Sequence, residues 1–156
     1  VSASNYGPPR VTSIGVERNR VELLLNIIEK RTGLKVAGHD VFVNVAGGVK
    51  VTEPAADLGI AIAIVSSYLD RGVPSNAVAF GEIGLTGEVR AVTQSVARLG
   101  EAKKLGFERA VLPKGNVNEI EEVSGVDESP FEGFGLDFAG TLADAVKSVF
   151  GDDVFR

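Results

Sequence analysis

The sequence predicts a mixed α/β domain with one internal hairpin. Helical patterns alternate with short stretches rich in β-branched residues, which is typical of a sheet packed with helices. A segment with a glycine every third residue, residues 81–90, predicts a tight β-hairpin. A chain of 156 residues with 44% hydrophobic content is long enough for one core and short for two domains.

The N-terminal third predicts a loose end, an extended segment and an amphipathic helix. Residues 1–9 are rich in Ser, Asn, Gly and Pro, which favours a linker or ragged end. An extended segment is expected over residues 10–14. Residues 17–31 carry Val21, Leu24, Leu25 and Ile28 at helical spacing, and Gly33 ends the predicted helix.

The segment of residues 44–67 is the centre of the predicted domain. A strand over residues 40–45 leads through the glycine pair at 47–48 into a helix whose first turn contains Pro54, with Thr52 or Glu53 as its cap. Apolar residues surround this helix over residues 58–65, so we expect it to be buried on most sides. A loop at the mouth of a buried helix is a common place for a site.

The second half predicts further alternating elements. Strands are expected at residues 77–80, 109–113 and 136–138, and helices at 94–105, 116–123 and 141–150. Gly106 ends the first of these helices and Thr141 caps the last. A loop is expected over residues 124–135.

Composition limits the possible functions. The absence of cysteine excludes disulfides, thiolate zinc sites and a cysteine nucleophile, and it fits a reducing compartment such as the cytoplasm. The longest apolar run is far shorter than the roughly 20 residues that cross a bilayer, so no membrane partner is expected. A net charge of −5 argues against a wholly nucleic-acid-binding surface but permits a local basic face. The sequence starts at Val1 without a basic-then-apolar stretch or an initiator methionine, from which we expect no signal peptide and a fragment of a longer protein.

Few side chains suggest chemistry by type and position. His39 is the single histidine, so a Ser-His-Asp triad would need it, but a solvated loop histidine is the favoured interpretation. Glu53, Asp57, Glu82 and Glu88 could supply an acid–base pair, although helix-terminal and solvated hairpin charges explain them more simply. No G-x-x-x-x-G-K-[ST] phosphate loop occurs. Lys50, beside the helix mouth, could be a catalytic base, a phosphate contact or a structural ion pair.

Several separated motifs together resemble a known family. They are DVFVNVAGGVKV at residues 40–51, ADL at 56–58, GEIGLTGEVR at 81–90, and then Arg98-Leu99, Glu101-Ala102, Gly106-Phe107 and Leu112-Pro113, with GVERNR at 15–20 and LNIIEKRTGL at 25–34 upstream. In this order and spacing they resemble the C-terminal Lon-protease-like domain of the bacterial RadA (Sms) DNA-repair family, over about residues 10–150. The resemblance implies a Lon proteolytic-domain-like fold over residues 10–156. It also implies that the family's zinc-binding and RecA-like ATPase domains precede Val1.

The Lon pattern supplies a test of peptidase activity. Lon proteases pair a serine at the mouth of a helix with a lysine that follows a glycine hairpin. In the matching register, Ala55 stands at the serine position and Val96 at the lysine position. Neither an alanine nor a valine side chain can attack a carbonyl or accept a proton. The remaining peptidase hypothesis is an unrecognised nucleophile such as Ser95 or Thr52 acting with Lys50.

The resemblance therefore implies a domain that is not itself an enzyme but a ring-forming scaffold and DNA-contacting platform for a motor domain. It implies a homo-hexamer, single-stranded or branched DNA and a RecA-type recombinase as partners. ATP, Mg²⁺ and Zn²⁺ would bind only in the missing domains, with no cofactor or metal here. Candidate DNA contacts are Arg18, Arg20, Lys50 and Arg90, while Arg18 and Arg20 could instead cap the helix or bridge subunits. A passive oligomerisation module without DNA contact is the other alternative.

Overall fold

The predicted mixed α/β class is confirmed by the structure, a computed structural model that describes residues 1–5, 7–125 and 129–156. Two three-stranded sheets and one hairpin pack with five α-helices in this part of the chain. No helix among the described residues combines the length and apolar character needed to cross a bilayer.

The first sheet contains strands β1 (Ser2–Ala3), β2 (Val11–Ile14) and β3 (His39–Asn44), in the order β1-β3-β2. β2 runs parallel to β3 over four residue pairs, whereas β1 is antiparallel and pairs only with His39 and Asp40. Residues 1–9 were expected to form a linker or loose end, and the strand within them differs from that expectation. The open edge of β3 explains the difference, because its unpaired main-chain groups offer hydrogen bonds that composition does not reveal.

The second sheet and the hairpin follow the predicted positions closely. Strands β5 (Glu82–Ile83) and β6 (Val89–Arg90) form the antiparallel hairpin. Strands β4 (Ala77–Ala79), β7 (Arg109–Pro113) and β8 (Gly135–Ala139) form a parallel sheet in the order β4-β7-β8.

The α-helices are α1 (Arg18–Thr32), α2 (Asp57–Leu69), α3 (Ser95–Lys104), α4 (Val117–Ser124) and α5 (Leu142–Phe150), each close to its predicted range. Short 3₁₀ turns occur at Val36–Gly38, Ala46–Gly48, Pro54–Ala56 and Lys114–Asn116. Residues 126–128, which fall within the loop predicted for 124–135, lie outside the described part of the chain.

Only one of the two predicted helix caps forms. The Thr141 hydroxyl accepts a hydrogen bond of 3.1 Å from the Asp144 amide at the start of α5, as predicted. Thr52 and Glu53 do not cap α2, because the 3₁₀ turn at Pro54–Ala56 separates them from the helix. The Glu53 carboxylate pairs instead with Arg98 of α3.

The main core lies where α1, α2 and α5 pack together against the sheets. Its fully buried side chains include Val21, Ile28, Leu58, Val65 and Leu142. A smaller cluster fills the space between α3, α4 and the second sheet around Leu99, Leu112 and Ile120. One part of α2 departs from the expected burial: Ala63 is exposed, and its neighbours Gly59 and Ile60 are half-buried.

Candidate functional site

The mouth of α2 is fixed to the start of the hairpin by two main-chain hydrogen bonds. The Gly81 amide donates to the Ala55 carbonyl at 2.8 Å, and the Leu58 amide donates to the Gly81 carbonyl at 3.0 Å. A Cβ on Gly81 would lie 2.8 Å from a Val89 methyl, so the close approach of the segments requires glycine. The hairpin is thereby held beside the first turn of α2, and the charged residues of both meet there.

A buried ion pair lies at this junction. Asp57, only 4% exposed, accepts a hydrogen bond of 2.5 Å from Nε of Arg20 in α1. Its other oxygen accepts the Ile83 amide of β5 at 3.2 Å. One carboxylate therefore joins two helices and the hairpin.

Burial governs the protonation of this carboxylate. Removal from water raises the pKa of Asp57 above its ordinary value, while the Ile83 amide and the Arg20 guanidinium both oppose the rise. The site thus resembles the acid–base environments of enzymes in one respect, a carboxyl with a raised pKa. It differs in another, because both carboxylate oxygens are already occupied by protein donors.

A second group of charged side chains, centred on Glu88, lies on the hairpin. The Glu88 carboxylate accepts hydrogen bonds from the Thr86 hydroxyl and from the Thr86 amide at 3.1 Å, and Arg90 donates to it at 3.0 Å. The Thr86 hydroxyl, followed by the main-chain N–H of Glu88 and by Arg90, lowers the pKa of Glu88 to about 2. Arg90 also lies 3.8 Å from Glu82, so its charge is shared between two carboxylates.

The two dyad positions differ in exposure. Ala55 is buried at the mouth of α2, whereas Val96 lines a groove of about 520 Å³ with Gly100, Lys103, Lys104, Pro130 and Phe131. Neither supplies a reactive group. Ser95, an alternative nucleophile, is fully buried and donates a 2.6 Å hydrogen bond to Glu119. Among the described residues no hydrogen bond joins Ser95 or Thr52 to Lys50.

The four candidate DNA contacts divide into two pairs. Arg20 and Arg90 are engaged with the carboxylates described above. Arg18 has a side chain 65% exposed and forms an i, i+4 pair with Glu22 at 2.7 Å, which solvent weakens. Lys50 forms no ion pair in the part of the chain that the structure describes. It lines a groove of about 320 Å³ with Gly15, Glu17 and Gly48, next to the first residue of α1.

Two interpretations from the sequence are wrong in detail. His39 was expected to be a solvated loop histidine, yet it begins β3 and is half-buried. Its Nδ1 lies 2.9 Å from the Lys35 carbonyl, and its ring packs edge-on against Tyr68 at 5.1 Å. Asp57 does lie in the first turn of α2, as a helix-terminal charge should, but it is buried in an ion pair with Arg20, which was not expected. Both differences arise from tertiary contacts with distant residues.

Two hydrogen-bond partners of these carboxylates are not predicted from the sequence. Thr86 and Arg98 were not among the candidates, although they control the ionisation of two carboxylates. Their hydrogen bonds lower the pKa values of Glu88 and Glu53 respectively. The short Thr-Gly-Glu spacing could have indicated the first contact, whereas nothing local indicated the second, which joins residues 45 positions apart.

These features define a mixed α/β domain whose conspicuous charged groups stabilise a helix–hairpin junction. The chain belongs to the family described as "Subunit ChlI of Mg-chelatase", which matches residues 8–116. It is also similar to proteins named DNA repair protein RadA. Identity is 44% over 152 residues for Salmonella typhimurium, 49% over 117 for Escherichia coli and 44% over 128 for Bacillus subtilis. These alignments cover 97%, 75% and 81% of this chain, but only 31%, 25% and 28% of the relatives. The chain thus spans between a quarter and a third of their length.

The matches correct one expectation from the sequence. The inference that this is not an enzyme is wrong, because the ChlI family and the RadA relatives point to an ATPase-type protein. That inference rested on Ala55 and Val96, which bear on a single peptide-cleaving chemistry and carry no information about nucleotide hydrolysis. The predicted connection with DNA repair agrees with the name of these relatives.

Proposed function

We propose that the chain is the Lon-like part of an ATPase-type DNA-repair protein, in which it contacts DNA and helps to assemble a hexameric ring beside a motor domain. The RadA relatives support the repair process, and their greater length leaves room for a motor. The Lon-like assignment rests on the motif order described above. The observation that carries the DNA role is Lys50, a lysine without an ion pair among the described residues, in a groove beside the start of α1.

The geometry favours Lys50 and Arg18 over the other two candidates as phosphate contacts. A phosphate must compete with any carboxylate that already neutralises a basic side chain. Arg20 is paired with a buried carboxylate and Arg90 lies against two carboxylates, whereas Arg18 has a single exposed partner, Glu22, whose attraction solvent weakens. Gly48 adds no side chain to the Lys50 groove, and a Cβ there would have no neighbour within 4 Å, while Ile14, Val16 and Glu17 form its other walls. A nucleic-acid backbone could therefore approach the main chain closely there.

The DNA role is tested with two charge-matched substitutions. Lys50→Gln removes the proposed contact. Lys30→Gln is the control, because it removes an exposed charge from the last turn of α1. Lys30 lies about 18 Å along the helix axis from Arg18, at 1.5 Å per residue. Binding of the full-length protein to single-stranded DNA is measured by fluorescence anisotropy from low to moderate salt. Lys50→Gln is expected to weaken binding and to reduce the slope of log K against log salt by about 0.7 for each copy whose Lys50 contacts the strand.

Lys30→Gln is expected to leave that slope unchanged. Equal effects of the two substitutions would indicate general charge attraction rather than a contact at Lys50. Absence of binding even at low salt would refute the DNA role and leave the passive assembly module.

A further inference from the structure

The open edge of β3 borders an apolar groove. Because β1 pairs only with His39 and Asp40, the edge beyond them is without a strand partner in the described residues. The amides of Val41 and Val45 donate to β2, so those of Phe42 and Asn44 point to the open edge. Beside this edge lies a groove of about 310 Å³ formed by β3 and the Gly59, Ala63 and Ser67 face of α2. Among the described residues, no charged side chain lines it.

A second groove lies on the other flank of the same helix. It has a volume of about 230 Å³ and is formed with β4, the edge strand of the second sheet. Gly59 and Ala63 line both grooves. The small residues of α2 at these positions thus leave apolar space beside an edge strand of each sheet. This explains why α2 is not buried on the side where Ala63 is exposed.

We propose that the polypeptide leading into Val1 in the longer protein continues β1 along the open edge of β3 and fills this groove. The inference rests on the proposed function, in which a motor domain precedes this chain. β1 already lies on the same edge with its direction and register fixed, and Val1 itself lines the groove. The occupant therefore continues an existing antiparallel ladder.

The register assigns each position of the added strand. Since Ser2 pairs with Asp40, the residue directly before Val1 lies opposite Phe42, and the residue two positions further upstream lies opposite Asn44. These two positions exchange main-chain hydrogen bonds with β3. The second and fourth residues before Val1 lie opposite Val43 and Val45. They share the inward face of buried Val41, so they are apolar and contact α2.

Such a strand would attach the preceding domain directly to the core. Four ordered residues along β3 give a rigid connection, whereas a flexible linker would leave the two domains free to rotate. Force or rotation in the motor would then be transmitted through β3 to the glycine turn and Lys50 that follow it in the chain.

The test compares amide hydrogen exchange in the full-length protein and in the 156-residue chain. In the full-length protein the amides of Phe42 and Asn44 are expected to exchange at least tenfold more slowly than in the short chain. Ala63→Arg places a charged side chain in the groove and should abolish this difference. Ala97→Arg, an equal change at an exposed position of α3 outside the groove, should preserve it. Circular dichroism of the short chain with either substitution establishes that the fold is retained.

Equal exchange at Phe42 and Asn44 in both lengths of protein would overturn the inference. A charged residue at the second position before Val1 would overturn it as well. DNA binding by the same full-length protein is measured separately, so the two proposals can fail independently. Slow exchange at Phe42 and Asn44 without DNA binding would support the added strand and refute the DNA role. DNA binding without slow exchange would support the DNA role and refute the added strand.

Discussion

Asp57 is the only carboxylate among the buried residues that the structure describes, and its partner Arg20 determines whether that burial is tolerated. A buried charge without a partner costs several kcal/mol, whereas a satisfied ion pair is close to neutral. The pair therefore specifies how α1, α2 and the hairpin fit together more than it adds net stability. Arg20 is therefore a poor DNA contact, because binding a phosphate would take its guanidinium away from Asp57 and leave that buried carboxylate unpaired.

Removal of the Arg20 guanidinium is expected to destabilise the domain in a pH-dependent way. Arg20→Ala should lower the free energy of unfolding by about 2–3 kcal/mol near pH 7, because Asp57 is then ionised and buried without its cation. The pKa of Asp57 in the folded protein is already raised, so its contribution to stability is fully present below the unfolded value of 3.8 and is lost as pH rises through the folded value. The defect of Arg20→Ala should accordingly shrink below pH 4. Urea unfolding across pH measures it.

Asp57→Asn is the matching control for this prediction. It removes the charge while keeping the shape, so adding it to Arg20→Ala should recover part of the lost stability at pH 7. A double variant less stable than Arg20→Ala alone would contradict the account of an unpaired buried charge.

The Glu88 carboxylate provides a second test at the residue scale, and its effect on stability has the opposite pH dependence to that of Asp57. Its pKa is depressed to about 2, so its stabilising contribution is present above the unfolded value of about 4.5 and is lost as pH falls towards 2. Thr86→Val removes the hydroxyl that makes the largest contribution, and the pKa of Glu88 should rise towards its ordinary value. Carboxyl ¹³C chemical shifts followed by NMR measure both values. An unchanged pKa in Thr86→Val would assign the depression to the main chain and Arg90 instead.

At the scale of elements, two turns contain glycines with left-handed backbone conformations, one in the hairpin and one after β3. Gly87 has a φ of 85°, and a Cβ there would lie 2.7 Å from Cγ of Arg31 at the end of α1. Gly47 has a nearly equal φ of 80°, but a Cβ there would have no neighbour within 4 Å. The two glycines share the same backbone strain and differ only in their surroundings.

Alanine substitutions at these two glycines should therefore differ in effect. Gly47→Ala should cost about 1–2 kcal/mol, the ordinary penalty of a left-handed alanine. Gly87→Ala should cost more, because the side chain of Arg31 must also move. Adding Arg31→Ala to Gly87→Ala should restore part of the difference. Thermal or urea unfolding of these three variants and of Arg31→Ala alone gives the comparison. Equal losses of stability in Gly47→Ala and Gly87→Ala would show that the Arg31 side chain moves aside at no energetic cost.

At the scale of the whole molecule, the local elements were predictable and their mutual contacts were not. The periodicity of α1, the glycines of the hairpin and the cap at Thr141 are local signals, and each element formed within a few residues of its predicted position. The pairs Arg20–Asp57 and Glu53–Arg98 join residues 37 and 45 positions apart, and periodicity carries no information about such contacts. The two-residue β1 was missed for the same reason, since only the edge of β3 makes it a strand.

Assembly into a ring would change how the molecule binds DNA, and the salt dependence can detect that change. With Lys50 and Arg18 as its contacts, a single copy neutralises about two phosphates and gives a log–log salt slope near −1.4 on single strands. A hexamer that presents the same residues to one strand multiplies these contacts, so the full-length protein is expected to show a slope steeper than about −3. Sedimentation equilibrium under the same conditions should give the mass of six copies. A monomer mass at every concentration would refute the ring, whatever the slope, and a hexamer with a slope near −1.4 would place Lys50 and Arg18 away from the DNA path.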